Sequence, residues 1–132
     1  MQQKVSFKTP KVPWPNPVIP QAVIAGNVIY VSGTTGVDPE TGKLISDSYA
    51  EQTEQAFRNV QTILQEAGSN MGNVVKTTVF MVSGQDPDFA VINRVYKQFF
   101  PENPPARSAP QVNPFPGNIL ISVECIALMG QL

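Results

Sequence analysis

Residues 48–68, SYAEQTEQAFRNVQTILQEAG, decide how the chain is to be read. Ser48 and Glu51 form the S-x-x-E pattern of a capping box, and Gly68 supplies a stop at the other end. Between them Ala56, Phe57, Val60, Ile63, Leu64 and Ala67 recur at helical spacing, with Arg58, Gln61 and Gln65 toward the opposite side. The pattern predicts an amphipathic helix with one buried stripe. The next apolar run, VVKTTVFMV (Val74–Val82), is β-branched and carries Lys76 and Thr78 two positions apart, so it predicts a strand.

Working toward the N-terminus, VIAGNVIYVSG places two β-rich runs around Gly26-Asn27. It predicts a hairpin with Val28, Tyr30 and Ser32 on one face and Ile29 and Val31 on the other. Gly33 and Gly36 bracket a Thr-Thr pair, and DPETGK is a turn leading to a short strand around Leu44-Ile45. Pro10, Pro13, Pro15, Pro17 and Pro20 make residues 8–20 an extended arm unable to enter a central strand, with Trp14 as its packing anchor.

Toward the C-terminus, Asp86-Pro87 predicts a second helix with Asp as the cap and Pro at the first helical position. Phe89, Ile92, Tyr96 and Phe99 form its apolar stripe, and Pro101 ends it. Two strands, Ala106–Val112 and Ile119–Leu128, close the chain across NPFPGN. The resulting order, ββ(β)αβαββ, is that of an α+β fold: a single mixed sheet with two helices on one face. One domain is expected over residues 1–132, with residues 1–20 as a proline-rich arm. Because the strands are apolar on both sides, the second sheet face calls for a covering copy of the chain.

Composition removes several chemistries. Charged residues make up 14 % of the 132 residues and the net charge is −1, with no basic run, which argues against a nucleic-acid partner held through its phosphates. Histidine is absent, so Ser-His-Asp or Cys-His catalysis and His-ligated metals are excluded. The single cysteine, Cys125, excludes disulfides within the chain and thiolate zinc sites, and its apolar strand predicts an inert packed thiol. Neither an apolar leader nor a run near the roughly 18 residues of a membrane span is visible, so a soluble cytoplasmic or mitochondrial protein without a membrane partner is expected.

Two charges fall on predicted strands. Arg107 lies in PPARSAPQV and Glu124 in NILISVECIALMG. An unpaired buried charge costs several kcal/mol, so each needs a partner: the other residue, another chain or a ligand. The planar guanidinium fork of Arg107 is the side chain best matched to a carboxylate.

The segments GNVIYVSG, DPETGK, AEQTEQAFRNVQTILQEAG, VVKTTVFMV, FAVINRVYKQFF, PPARSAPQV and ISVECIAL occur in an order and spacing that resembles the RidA/YjgF (L-PSP) family. The resemblance implies a chorismate-mutase-like fold assembled as a homotrimer, with ligand clefts between neighbouring subunits. It implies cofactor-free hydrolysis of 2-aminoacrylate and related 2-imino acids to 2-oxo acids and ammonia. On the family pattern Arg107 holds the substrate carboxylate and Glu124 orients or activates water. Ser32 and Gly33 shape the cleft wall, Asn93 borders it from a neighbouring chain, and Ala109 contributes through its backbone. No metal is implied.

The chain departs from the family pattern at two places. Many members carry cysteine where Ala109 stands and tyrosine where Ile19 stands, here followed by Pro20. Three alternatives to the general deaminase are a specialised member with a changed substrate, a non-enzymatic trimer that binds small carboxylates, and the RNA cleavage attached to the family by name. The missing basic patch argues against the last.

Overall fold

The computed structural model describes residues 3–130. Strand β1 (Lys4–Phe7) precedes the proline-rich arm, and β2 (Ala22–Ala25) and β3 (Val28–Thr34) form the hairpin. Helix α1 (Tyr49–Glu66) leads through a single 3₁₀ turn at Met71–Asn73 into β4 (Val74–Val82). Helix α2 (Ala90–Phe99), the short strands β5 (Ala106–Ser108) and β6 (Gln111–Val112), and β7 (Ile121–Leu128) complete the fold. The seven strands make one sheet in the order β1-β2-β3-β7-β4-β5, with β6 also paired to β4. Only β5 and β6 run parallel to β4; the other pairs are antiparallel, so the sheet is mixed.

Local chemistry explains the elements. Gly26 takes φ 62, the left-handed conformation a tight β2–β3 turn requires, and Gly68 takes φ 94 just beyond α1. Half of the expected capping box forms. The Glu51 N–H donates to Ser48 Oγ at 3.2 Å, but the Ser48 N–H turns to Ser46 Oγ at 3.0 Å instead of the Glu51 side chain. Both helices cover one sheet face: the Tyr49 hydroxyl of α1 meets Met81 Sδ, and the Tyr96 hydroxyl of α2 bonds Thr77 Oγ1. Met81 and Thr77 lie on the same side of β4, with Ile29, Val31, Val123 and Cys125 beside them in the core. Phe57 is fully buried among Tyr96, Phe99 and Phe100, with ring centroids 5.8 to 6.1 Å away. Such aromatic pairs add about 0.5–1.5 kcal/mol each beyond their buried area.

Four expectations need correction. The N-terminal segment is not wholly an arm, because Lys4–Phe7 precedes the first proline and pairs with Ala22–Ala25 as an edge strand. No strand forms at Leu44-Ile45; Leu44 makes only an isolated bridge to Val37. The predicted Ala106–Val112 strand is two pieces, because Pro110 between them has no N–H for the ladder. Helix α2 begins at Ala90 rather than Pro87. Phe89 sits at φ 60, a left-handed turn that interrupts the helix, and Asp86 reaches across it to accept the N–H groups of Val91 (3.1 Å) and Ile92 (2.9 Å). Asp86 therefore caps α2 from a distance.

Buried amides hold the loops. Gln21 accepts the Thr9 N–H at 2.6 Å and donates to the carbonyls of Thr9 and Val12, fastening the arm to the sheet. Gln52 of α1 bonds Ser46 O, Asn118 O and the Leu120 N–H. Asn59, about two turns later, donates to Thr35 O and Val37 O at 3.0 and 2.9 Å. Each amide supplies to irregular backbone the partners that a ladder would otherwise give.

The opposite sheet face is bare. Tyr30 is 48 % exposed, and Phe80, Ser122, Ile126 and Leu128 are only half covered. A further test concerns α2. Asp86 is buried and also accepts the Tyr49 hydroxyl at 3.2 Å. Asp86→Ala should therefore remove a cap and leave the Tyr49 hydroxyl with only the weak acceptor Met81 Sδ, costing about 1–3 kcal/mol in chemical denaturation. A loss below about 0.5 kcal/mol would show that the α2 start does not depend on Asp86.

Candidate active site

Arg107 is placed by β5. Its Cα pairs with Thr77, which also pairs with Cys125 of β7, so these three side chains form one row on the helix-covered face. The guanidinium lies against aromatic rings, Cζ 4.9 Å from the Tyr96 centroid and 6.0 Å from that of Phe89. Tyr96 is itself pinned by Thr77 and by the Phe57 cluster, so the arginine rests on a rigid plate. Burial raises the Tyr96 pKa, an effect partly opposed by the Thr77 hydrogen bond and the Arg107 charge. Among the described residues the ion pairs are Lys11–Glu66 and Arg58–Glu54, and Arg107 joins neither. Its fork, half-buried and stacked, opens onto a hollow of about 280 Å³ lined by Asn93, Tyr96, Lys97, Phe100 and Pro104. Asn93, expected to face the cleft from a neighbouring chain, lines the Arg107 hollow of its own chain. Ala109 follows β5 directly, in the break before β6.

A second group gathers at an irregularity between β3 and β7. Val31 pairs with Cys125 and Thr34 with Val123, leaving Ser32 and Gly33 opposite the single residue Glu124. This is a β-bulge, a device that re-aims side chains beside functional sites. It brings the adjacent pair Ser32 and Gly33 beside Glu124, which follows Gly33 by 91 positions in sequence. The Ser32 hydroxyl donates to Pro20 O at 2.8 Å and its N–H to Gln21 O at 2.9 Å, so Ser32 ties the arm to the bulge. Ser122, which sequence reading passed over, belongs here as well: a Cβ on Gly33 would stand 2.7 Å from Ser122 Oγ. Its position two residues before Glu124, on the same strand face, was the available signal. Burial pushes the neighbouring Cys125 thiol up to about 12, with the Glu124 charge adding to the effect, which leaves it protonated and inert at neutral pH.

The two groups do not meet within one chain. Thr78 pairs with Glu124 on one side and Ser108 on the other, so Glu124 points to the bare face while Arg107, one register position along, points to the helices. Glu124 is exposed, and no Arg107–Glu124 bridge forms. Gly33 on β3 and Arg107 on β5 are three strand steps apart, about 14 Å at the usual spacing.

Fold and site thus define an α+β protein with one mixed sheet, bare on one side, carrying an unpaired arginine at a hollow of anion size. The chain belongs to the endoribonuclease L-PSP family, the RidA/YjgF family of the sequence resemblance: the family model matches residues 16–129. A 2-iminobutanoate/2-iminopropanoate deaminase of Homo sapiens is 44 % identical over 112 residues, covering 85 % of this chain and 80 % of its own. A RutC family protein of Pyrococcus abyssi is 41 % identical over 127 residues, covering 96 % and 98 %. The crystal structure of Escherichia coli TdcF with bound serine superposes with a TM-score of 0.85 at 33 % identity, covering 96 % of this chain and 99 % of that one.

The bulge contact gives a direct test. Gly33→Ala should overpack against Ser122 and cost about 1–3 kcal/mol. Since Ser122 Oγ is the one atom within 4 Å of the added carbon, Gly33→Ala with Ser122→Ala should recover that loss. A double mutant no more stable than Gly33→Ala would refute the contact.

Proposed function

We propose that the protein is a cofactor-independent deaminase that hydrolyses 2-imino acids to 2-oxo acids and ammonia, in clefts completed by neighbouring subunits of a homotrimer. The observation that carries the reading is the Arg107 guanidinium, stacked on Tyr96 with no acceptor among the described residues and facing a small hollow. Carboxylate is the anion its planar fork fits best. Membership of the family supports the reading, as do the name of the Homo sapiens relative and the amino acid bound in TdcF.

The chemistry is within reach of these side chains. Water adds to C2 of R–C(=NH)–COO⁻, giving a carbinolamine. Its hydroxyl proton is transferred to nitrogen, ammonia leaves, and the carbon–oxygen bond becomes a carbonyl: one imino acid and one water yield one 2-oxo acid and one ammonia. Arg107 fixes the carboxylate and so the position of C2, which supplies the orientation that dominates such a step. A carboxylate that orients water and relays the proton completes the reaction. Glu124 takes this role only from a neighbouring subunit, since in its own chain it faces away from Arg107. Ser32 and Gly33 would enter with it, as parts of the same bulge. Asn93 and Ala109 would border the carboxylate end beside Arg107.

Assembly follows from the bare face of the sheet, whose exposed tyrosine and half-covered Phe80, Ile126 and Leu128 a second copy would bury. Light scattering should give about three times the 14.4 kDa chain mass. A stable monomer would sink the shared cleft.

The catalytic assignment is tested by generating imino acids in situ with an amino acid oxidase and trapping the remainder with semicarbazide. Arg107→Ala should abolish both hydrolysis and the thermal stabilisation given by small 2-oxo acids. Binding that survives Arg107→Ala would make the arginine structural. Glu124→Gln should lower turnover about ten- to a thousand-fold while that stabilisation is largely retained. An unchanged rate would remove Glu124 from the mechanism.

A further inference from the structure

A second hollow begins at the bulge. It encloses about 190 Å³ between the proline-rich arm and the strand end, walled by Pro13, Trp14, Ile19, Thr35, Val37 and Ile119, with Gly33 at its edge. We propose that this hollow receives the apolar side chain of the 2-imino acid, and that the enzyme therefore prefers imines derived from branched or longer aliphatic amino acids over that derived from alanine. The inference rests on the deaminase reading for the identity of the reacting group.

Three observations carry it. First, the hollow holds no charged side chain, so neither end of a zwitterion nor a carboxylate is matched there. Second, most of the polar groups along its wall are already satisfied from within the chain. Trp14 Nε1–H donates to Ile19 O at 2.9 Å, Asn16 Oδ1 accepts the Val18 N–H, and the Thr34 hydroxyl donates to Ser32 O. Asn59 occupies the carbonyls of Thr35 and Val37 from behind. What remains facing the space is mostly carbon and the indole ring, with the Asn16 amide N–H₂ and the Thr35 hydroxyl as the polar groups left over. Apolar ligand atoms fit such a wall, and apolar cavities of about 150 Å³ are known to take up a ring the size of benzene.

Third, the hollow reaches the bulge at Gly33, where an added Cβ would meet Ser122. In the proposed pose the reacting carbon lies beside Gly33 of the bulge and the tail lies against Trp14, both of which line the hollow. The ligand carboxylate is then held by Arg107 of a neighbouring chain, which the separation of the two groups within one chain requires. Ile19, 42 % exposed, adds a branched hydrocarbon to the wall. The indole–Ile19 hydrogen bond closes a loop of the arm and keeps both walls in place.

Trp14 is the sole tryptophan, so its fluorescence reports this hollow alone. The full chain, in its native assembly, is titrated with 4-methyl-2-oxopentanoate and with pyruvate while emission and thermal stability are followed. The branched acid should bind at least about tenfold more tightly than pyruvate and change Trp14 emission, and Ile19→Asn should shrink that ratio to below about threefold. Hydrolysis of the leucine-derived imine should exceed that of the alanine-derived imine by a similar factor in kcat/KM. Equal affinities with unchanged emission would overturn the inference, and would mean that the hollow is filled by a neighbouring subunit, while leaving Arg107 as anchor. Preferential binding and an emission change without hydrolysis of either imine would support the apolar subsite while sinking the deaminase reading on which its catalytic use rests.

Discussion

A guanidinium held half out of water with no acceptor is the condition around which the structure is arranged. Stacking on Tyr96 offsets part of the desolvation of Arg107 but satisfies none of its five N–H donors. Among the described residues nothing completes the pair, and the guanidinium rests on the aromatic cluster beneath it. Phe57 locks Tyr96 in an edge-on contact at 5.9 Å, and the Tyr96 hydroxyl is tied to Thr77 in the centre of the sheet. Fixing an uncommitted cation on such a plate prepares it for an incoming anion, because the ordering cost is met during folding rather than on binding.

The sheet divides the remaining functional groups between its two faces. Alternation along β4 and β7 sends Arg107 with Thr77 to the helices and Glu124 with Thr78 to the open side. The β3 bulge adds Ser32 and Gly33 to the second set. A single subunit therefore holds two groups of polar side chains several strands apart, and in the proposed assembly the bare sheet face would bring such groups together from different copies. On this view assembly and catalysis depend on one surface, and a mutation that loosens one should weaken the other.

Much of this was legible in the residues. The α1 stripe, the β2–β3 hairpin, the β4 strand and the one-sided placement of both helices follow from periodicity, because each element buries one face. Arg107 was legible as a charge lacking a local partner. Other features were hidden for identifiable reasons. Gln52 and Asn59 are uncharged polar residues that resemble a solvent face, yet both are buried because loops without a ladder need their amides. The start of α2 was misplaced because Asp86-Pro87 carries a strong capping signal, while the left-handed turn at Phe89 follows no residue preference. The opposing directions of Arg107 and Glu124 depend on strand pairing between segments distant in sequence, which no local pattern records. The bulge that gathers Ser32, Gly33 and Glu124 is a register shift and was invisible for the same reason.

The most direct measurement of the central claim is a crystal structure of the assembled protein soaked with 4-methyl-2-oxopentanoate. The account predicts three copies around an axis, the acid's carboxylate on the two-pronged face of Arg107, and its branched tail against Trp14 of a neighbouring copy. An Arg107 already bridged to a protein carboxylate across the interface, with no acid bound at saturating concentration, would contradict it and make the arginine part of the assembly alone.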